Sequence, residues 1–303
     1  MATGNSTRSR VHARRFREAL AAYIMLSPVL VGLAVFAIGP IIYSFVLSFM
    51  DYNIMLPPVF TGLANIRKAM GDRLLHQSLG NTIYFAFVGI PLSIAVSMIL
   101  ALMLNTKIRF KSMFRTFYFL PVVTSMVAVS TVWFWLYNRE FGLINYLLWR
   151  FFSIEGPGWL SDPKYAMNAI IIMSVWKGAG YNMVIFLAAL QGVPKELYES
   201  ATIDGAGPVR QFIRITLPMI STALFFVLIM SVIGSFQVFE QTYVLTRGGP
   251  RYATSTIVLL IFNEAFMFYR MGYASLMAWI LFIIISGFTA LQMVFQRKWV
   301  FTQ

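Results

Sequence analysis

The chain has 303 residues, 59% of them hydrophobic and 12% charged, with a mean hydropathy of +0.73. Soluble domains carry about 45–50% apolar and about 25% charged residues, so a soluble enzyme of this composition would aggregate, and disorder is excluded by the same hydrophobicity. The formal charge of +13 fits a nucleic-acid binder or a membrane protein with basic cytoplasmic loops, while the absence of cysteine and the presence of only two histidines, His12 and His76, argue against disulfides, thiolate metal sites and histidine-built triads.

Six segments reach the roughly 20 apolar residues that a membrane crossing needs. The first runs over about 20–49 and has Gly39-Pro40 as a kink. The second covers about 82–104 with Pro91 inside it, and the third about 113–137 with Pro121 near its start. The fourth spans about 166–190, the fifth about 218–245 and the sixth about 273–296. Internal prolines are tolerated where neighbouring helices satisfy the freed backbone groups, so glycine and proline here suit a moving bundle.

The basic residues set the orientation. With the N-terminus in the cytoplasm, the inner segments 1–18, 105–115, 191–217 and 297–303 hold 5, 4, 3 and 2 Lys or Arg. The outer loops 51–81, 138–165 and 246–272 hold 3 each in more positions, so basic density is about twice as high inside, as the positive-inside rule requires. Both termini are therefore expected in the cytoplasm. The cluster Arg8, Arg10, Arg14, Arg15 and Arg17 reads as a topology anchor touching anionic lipid, not as a nucleic-acid site. The apolar stretch after it is too long for a cleavable signal. Among the outer loops, Gly142–Phe152 and Ile257–Tyr269 read as short interfacial helices, and Trp133, Trp149, Trp159 and Tyr137 as an aromatic belt.

One loop carries a mechanism: residues 191–218, QGVPKELYESATIDGAGPVRQFIRITLP. Pro194 opens a helix over Lys195–Ile203, in which Lys195 and Glu199 lie one turn apart. Asp204-Gly205 stops it, because glycine takes the left-handed conformation of a C-terminal cap. Gly207-Pro208 starts a second helix with Val209, Phe212, Ile213 and Thr216 on one face. The expected product is a helix–Gly–helix hook feeding directly into a membrane span.

The ordered set Glu199-Ser200-Ala201, Asp204-Gly205-Ala206, Phe212, Ile215, Leu217 and Pro218 resembles the EAA loop of binding-protein-dependent ABC importer permeases, the maltose-transporter-type sugar permeases above all. Ser200 replaces the first alanine of that pattern, a small change. The resemblance extends to Leu245–Pro250 and Gly272–Ser275 and covers roughly 20–298. It implies an all-α, type I importer bundle of six transmembrane helices (19–298) with a cytoplasmic coupling helix, flanked by a basic tail (1–18) and a short tail (299–303). It also implies that the hook seats in a cleft of a cytoplasmic ATPase subunit, with two such subunits, a second and non-identical permease chain, and an extracytoplasmic solute-binding protein. Glu199, Ala201, Asp204, Gly205, Ala206 and Pro218 then belong to the coupling element, and Phe212 packs it onto the bundle. No G-x-x-x-x-G-K-[ST] occurs, and the Gly-Ala-Gly runs at Gly178 and Gly205 lack the context of a dinucleotide fingerprint, so ATP and Mg are expected on the partner ATPases and no cofactor on this chain.

Polar groups at membrane depth are costly and mark a pathway. The fourth span supplies Lys177, Gly178, Tyr181 and Asn182; the fifth supplies Ser231, Ser235, Gln237, Glu240 and Gln241. In the resembled family the pocket draws on these two regions, which places Gly178, Tyr181, Ser231, Ser235 and Val238 at or near lining positions. Serines and Tyr181 serve equally well in helix packing. Lys177 is expected to pair with Glu240 or, alternatively, to hold an anionic solute such as glycerol 3-phosphate. The substrate class expected is a sugar. A stand-alone secondary transporter or channel would need an internal repeat or a mid-membrane carboxylate, and a membrane-embedded enzyme would need a catalytic constellation; the spans offer neither.

Overall fold

The computed structural model describes residues 4–106 and 109–299, with side chains over 18–106 and 109–296. The arginine cluster of the N-terminal tail, Lys107, and the basic side chains Arg297 and Lys298 lie outside the described side chains, as does the chain beyond 299.

Helix α1 (Gly4–Leu33) passes through a π-helical turn (Ala34–Ile38) into α2 (Gly39–Leu47). The turn has a local cause: Pro40 has no N–H and its ring crowds the carbonyl four residues back, so the chain winds wider and the Gly39 amide bonds to Ala34. Nothing between Glu18 and Val46 is buried, and Met25 and Phe36 are over 80% solvent-exposed or at that level (80% and 84%), so this helix presents its apolar side chains outward. Only its end docks: the Trp279 indole donates to Ser44 Oγ at 3.2 Å and packs edge-on against Phe45.

A two-strand hairpin, β1 (Met50–Asp51) and β2 (Val59–Phe60), and α3 (Ala64–Gly71) form the connection from α2 to the next long helix. α4 (Arg73–Asn105) starts on an Asp72 cap that accepts from the Leu74 and Leu75 amides. α5 (Lys111–Val123) and α6 (Met126–Leu136) meet at a 99° bend over Thr124-Ser125, so the third apolar segment is not one straight rod. α7 (Leu143–Phe152) is the short helix expected from the sequence. α8 (Pro163–Gln191) begins on an Asp162 cap with Pro163 at its first position.

The hook follows as α9 (Lys195–Ile203) and α10 (Pro208–Gln211), which runs through a second π-helical turn (Phe212–Thr216) and α11 (Leu217–Met219). Pro218 is again the cause of the wider turn, and the Leu217 amide bonds to Phe212. After a 71° bend at Ile220 comes α12 (Ser221–Phe236), then α13 (Glu240–Leu245). The fifth apolar segment is therefore broken at residues 237–239, where the sequence suggested a continuous helix. Thr256 Oγ1 donates to the freed Val238 carbonyl at 2.9 Å and Thr242 Oγ1 to that of Phe239 at 2.8 Å, so the break leaves those carbonyls satisfied.

α14 (Ile257–Phe262), a third π-helical turn (Asn263–Met267) and α15 (Met271–Trp299) are the last described elements. The expectation of an interfacial helix at 257–269 is corrected here. Ile257, Leu259 and Leu260 are at most 2% exposed, and the Ile257 amide is held by Thr82 Oγ1 at 3.0 Å, because the segment packs between α4 and α15.

Among the described residues, four helices are long and apolar enough to cross a bilayer, or up to six if each bent pair counts as one span. α4 and α8 form the central pair. Gly180 makes α5 possible beside them, since a Cβ there would collide with the Tyr118 carbonyl. Three apolar clusters divide the bundle. One joins α4, α12, α14 and α15; another joins α6, α8 and α13; the third gathers the C-terminal halves of α4 and α8 with the hook. The hook thus sits at one end of the bundle, and the loops 50–72, 137–162 and 246–270 lie at the other.

Candidate functional site

Two regions have built geometry. The first is the hook. The Gly205 amide donates to the Thr202 carbonyl at 3.0 Å and the Ala206 amide to that of Ala201 at 2.8 Å, with Gly205 at φ +75°: the two crossed bonds of a Schellman cap. Gln211 Nε2 then ties the two arms, donating to Thr202 Oγ1 and to the Ala206 carbonyl, both at 2.9 Å. Tyr198 and Thr216 share a hydroxyl–hydroxyl bond of 2.9 Å, and Phe212 packs with Tyr198, Ile215 and Met219 onto Leu104, Phe186 and Leu190. Glu199 and Asp204 are exposed; Pro218 and Ala201 are half-buried. The shared face expected for Val209, Phe212, Ile213 and Thr216 does not form. Phe212 and Thr216 turn inward while Val209 and Ile213 stay 72% and 55% exposed, because the π-helical turn rotates the register. With Ile203, 87% exposed, they give the hook an apolar outer surface.

The second region is a cavity of about 260 Å³ inside the bundle. α8 contributes Ser174, Lys177 and Gly178; α12 contributes Ser231, Gly234 and Ser235; α4 contributes Ser93. Val122 and Met126 line it from either side of the 99° bend, and Gln241 lines it just past the break in the fifth segment. Both irregular stretches of backbone therefore border this cavity, where departures from helix are tolerated at depth. Gln241 Nε2 reaches Ser174 Oγ at 3.4 Å. Lys177 is the one charged residue in the lining among the described residues, and its Nζ donates to the Val122 carbonyl at 3.4 Å.

Of the residues singled out in the sequence, Lys177, Gly178, Ser231, Ser235 and Gln241 meet at this cavity. Tyr181 does not line it and is 46% exposed. Asn182 instead bonds Ser93 Oγ at 3.3 Å. Val238 is 3% exposed within the α6–α8–α13 cluster, and Gln237 and Glu240 are exposed at the helix break. The expected Lys177–Glu240 pair is not formed; among the described residues no ion pair joins them. Breaking the fifth segment before Glu240 removes the helical continuity on which the pairing depended.

The family model for the binding-protein-dependent transport system inner membrane component matches residues 21–300. The chain belongs to this family of ABC importer permeases. The permease is 35% identical to the lactose transport system permease protein of Rhizobium radiobacter, over 97% of this chain and 99% of that one. It is 33% identical to the trehalose/maltose transport system permease protein of Thermococcus litoralis (91% and 93% covered). It is 30% identical to the sn-glycerol-3-phosphate transport system permease protein of Pectobacterium atrosepticum (93% and 96%). Its fold matches a chain in the crystal structure of a bacterial alginate ABC transporter with alginate pentasaccharide-bound periplasmic protein, at a TM-score of 0.82 and 21% identity, over 94% and 96% of the two chains.

Sequence reasoning missed several cavity residues of the permease. Ser93, Ser174 and Gly234 have side chains too ordinary to stand out, and Val122 and Met126 enter only because the chain bends between them. Proline at 121 was the available signal for that bend.

Proposed function

We propose that this permease carries a sugar through the bundle by way of the Lys177–Ser231–Ser235 cavity, and that the hook is the handle by which a separate ATPase drives it. The supporting observation is the braced hook: a glycine-capped turn tied by Gln211, clamped onto the ends of α4 and α8, with an apolar outer surface free to seat in a partner. Glu199, Ala201, Asp204, Gly205 and Ala206 form its tip, Phe212 anchors it, and Pro218 fixes the turn into the fifth span. A force on the tip passes into α12, which lines the cavity through Ser231 and Ser235.

In this reading six spans cross the inner membrane: α1–α2, α4, α5–α6, α8, α11–α13 and α15, within 19–298. The tails 1–18 and 299–303 and the hook face the cytoplasm, where the basic tail meets anionic lipid. ATP and Mg belong to two ATP-binding cassette subunits, a second and different permease chain completes the pathway, and an extracytoplasmic binding protein delivers the solute. Serine hydroxyls and Gln241 supply hydrogen bonds that sugar hydroxyls require. The related lactose and trehalose/maltose permeases favour a sugar.

A second reading has a specific observation behind it. Among the described residues, Lys177 is the only charge lining the cavity and no carboxylate lines it, which favours an acidic solute such as glycerol 3-phosphate; a relative 30% identical carries that solute in its name. Proteoliposomes holding the full importer test both readings. Uptake of labelled lactose or maltose is expected to need ATP and the ATPase subunits and to stop in Gly178→Phe, whose new ring enters open space. Glycerol 3-phosphate uptake in place of sugar uptake supports the second reading. Transport by this chain alone overturns both.

A further inference from the structure

At the opposite end of the bundle from the hook, a cleft of about 560 Å³ opens between the end of α6, the loop 153–162 and the turn after α13. Phe134, 51% exposed, and Trp159 offer it aromatic faces; Asn138, Arg139, Glu140 and Ser161 offer polar groups. Arg139 and Glu140 are exposed and make no ion pair among the described residues, so both remain available to a ligand. Their charges cancel, unlike the lone cation of the inner cavity.

The cleft is held rigid from behind. Asn145, 8% exposed, accepts from the Trp159 indole N–H at 2.6 Å and donates to the carbonyls of Arg139 at 3.2 Å and Pro157 at 3.3 Å. Tyr137 donates to the Ala169 carbonyl at 2.9 Å and packs its ring on Trp159. Gly142 and Gly156 close the loops tightly: a Cβ at either would strike Asn138 backbone or the Asn145 side chain. Such pre-organisation lowers the entropy cost of binding.

Between this cleft and the inner cavity lies a dry plug. Val129, Tyr137, Val238 and Leu245 are each at most 7% exposed in the one cluster that touches both. Tyr137 and Leu245 line the cleft, and Ile171 and Val175 of the same cluster line the cavity. Gln241 and Leu245 lie one turn apart on α13, so cavity and cleft follow one face of that short helix.

We infer that the outer cleft is a carbohydrate subsite that holds a neutral sugar ring against Phe134 and Trp159 above the closed plug, before the ring enters the inner cavity. Aromatic faces stack on the C–H face of a pyranose, and Asn138, Arg139, Glu140 and Ser161 provide donors and acceptors for its hydroxyls. This rests on the sugar-permease reading above, and the test separates the two.

The purified full chain in lipid nanodiscs is titrated with lactose, maltose and trehalose by saturation-transfer difference NMR. At least one sugar is expected to bind saturably, about tenfold more weakly in Arg139→Ala/Glu140→Ala, where charge-assisted hydrogen bonds are lost. Gly178→Phe fills the inner cavity and removes any share of the signal that arises there; the binding that persists in it is expected to keep its dependence on Arg139 and Glu140. Absence of binding by all three sugars, or binding untouched by the double variant, overturns the subsite. Loss of binding in Gly178→Phe alone also overturns it, placing the sugar in the inner cavity and leaving the transport reading intact. Uptake that survives Gly178→Phe in the assembled importer counts against the transport reading only.

Discussion

Gly205 offers the cleanest perturbation of the hook. Its φ of +75° puts it in left-handed backbone, yet no heavy atom lies within 4 Å of where a Cβ would stand. Any cost of substitution is therefore conformational and not steric. A non-glycine residue in that conformation costs about 1–2 kcal/mol, with asparagine cheaper because its side chain bonds locally. Since 1.4 kcal/mol is tenfold, alanine should raise local opening about 5- to 30-fold and asparagine less. The reporters are the Gly205 and Ala206 amides, which bond to Thr202 and Ala201. Hydrogen exchange of the hook segment by mass spectrometry reads them, with protection falling in the order Gly, Asn, Ala, Val. Gly207 is the control: at φ −69° and with open space around it, alanine should change protection by less than about threefold. Sugar-coupled uptake should fall along the same order. Equal protection in Gly205→Ala and the parent chain would refute the cap as the source of hook rigidity.

Gly180→Ala is expected to lower the thermal midpoint in detergent far more than Gly178→Ala, because only the former drives a methyl into the Tyr118 carbonyl, an overpacking cost of about 1–3 kcal/mol or more. Thr256→Val should cost about 1–3 kcal/mol by leaving the Val238 carbonyl unpaired, with Thr256→Ser restoring most of it in the same melt. Exchanging Lys177 and Glu240 should not rescue uptake lost in either single neutralisation; recovery would mean the two side chains meet in the working cycle. Burial pushes the Asp72 carboxyl up. The Tyr273 hydroxyl at 2.7 Å, the Leu75 and Leu74 amides and the charge of Lys68 outweigh it and hold the group below its ordinary value. Its folded-state affinity for protons is thus depressed, so its stabilisation is complete above about pH 3.9 and is lost as pH falls through the lower folded value. Thermal melts below pH 4 should show that loss, and Asp72→Asn should flatten the slope.

Legibility tracked the range of the interaction. The hook could be located and its cap assigned because proline starts, glycine caps and helix formers act within a few residues: Lys195–Ile203 and Gly205 behave as their local chemistry demands. The short helix 143–152 was readable for the same reason. The segment 257–267 was not, because an apolar helix that lies on a bundle and one that lies inside it have the same pattern; Thr82, 175 positions away, decides between them. Trp159 and Tyr137, read from the sequence as part of an aromatic belt, also wall the cleft at the end of the bundle away from the hook, held there by Asn145 and by the Ala169 carbonyl, which no local pattern showed.

Composition and hydrophobic run lengths by themselves settled that this chain lives in a bilayer as apolar helices, since no aqueous fold could hide 59% hydrophobic residues with 12% charge. The order of turn residues settled where the hook lies. Tertiary structure alone decided the 99° bend, the break at 237–239, and hence which of many serines and glycines face the inner cavity. The physical reason is that backbone groups freed at those breaks are satisfied in part by partners from distant positions of the chain. Lys177 for Val122 and Thr256 for Val238 are such partners, and no local pattern announces them.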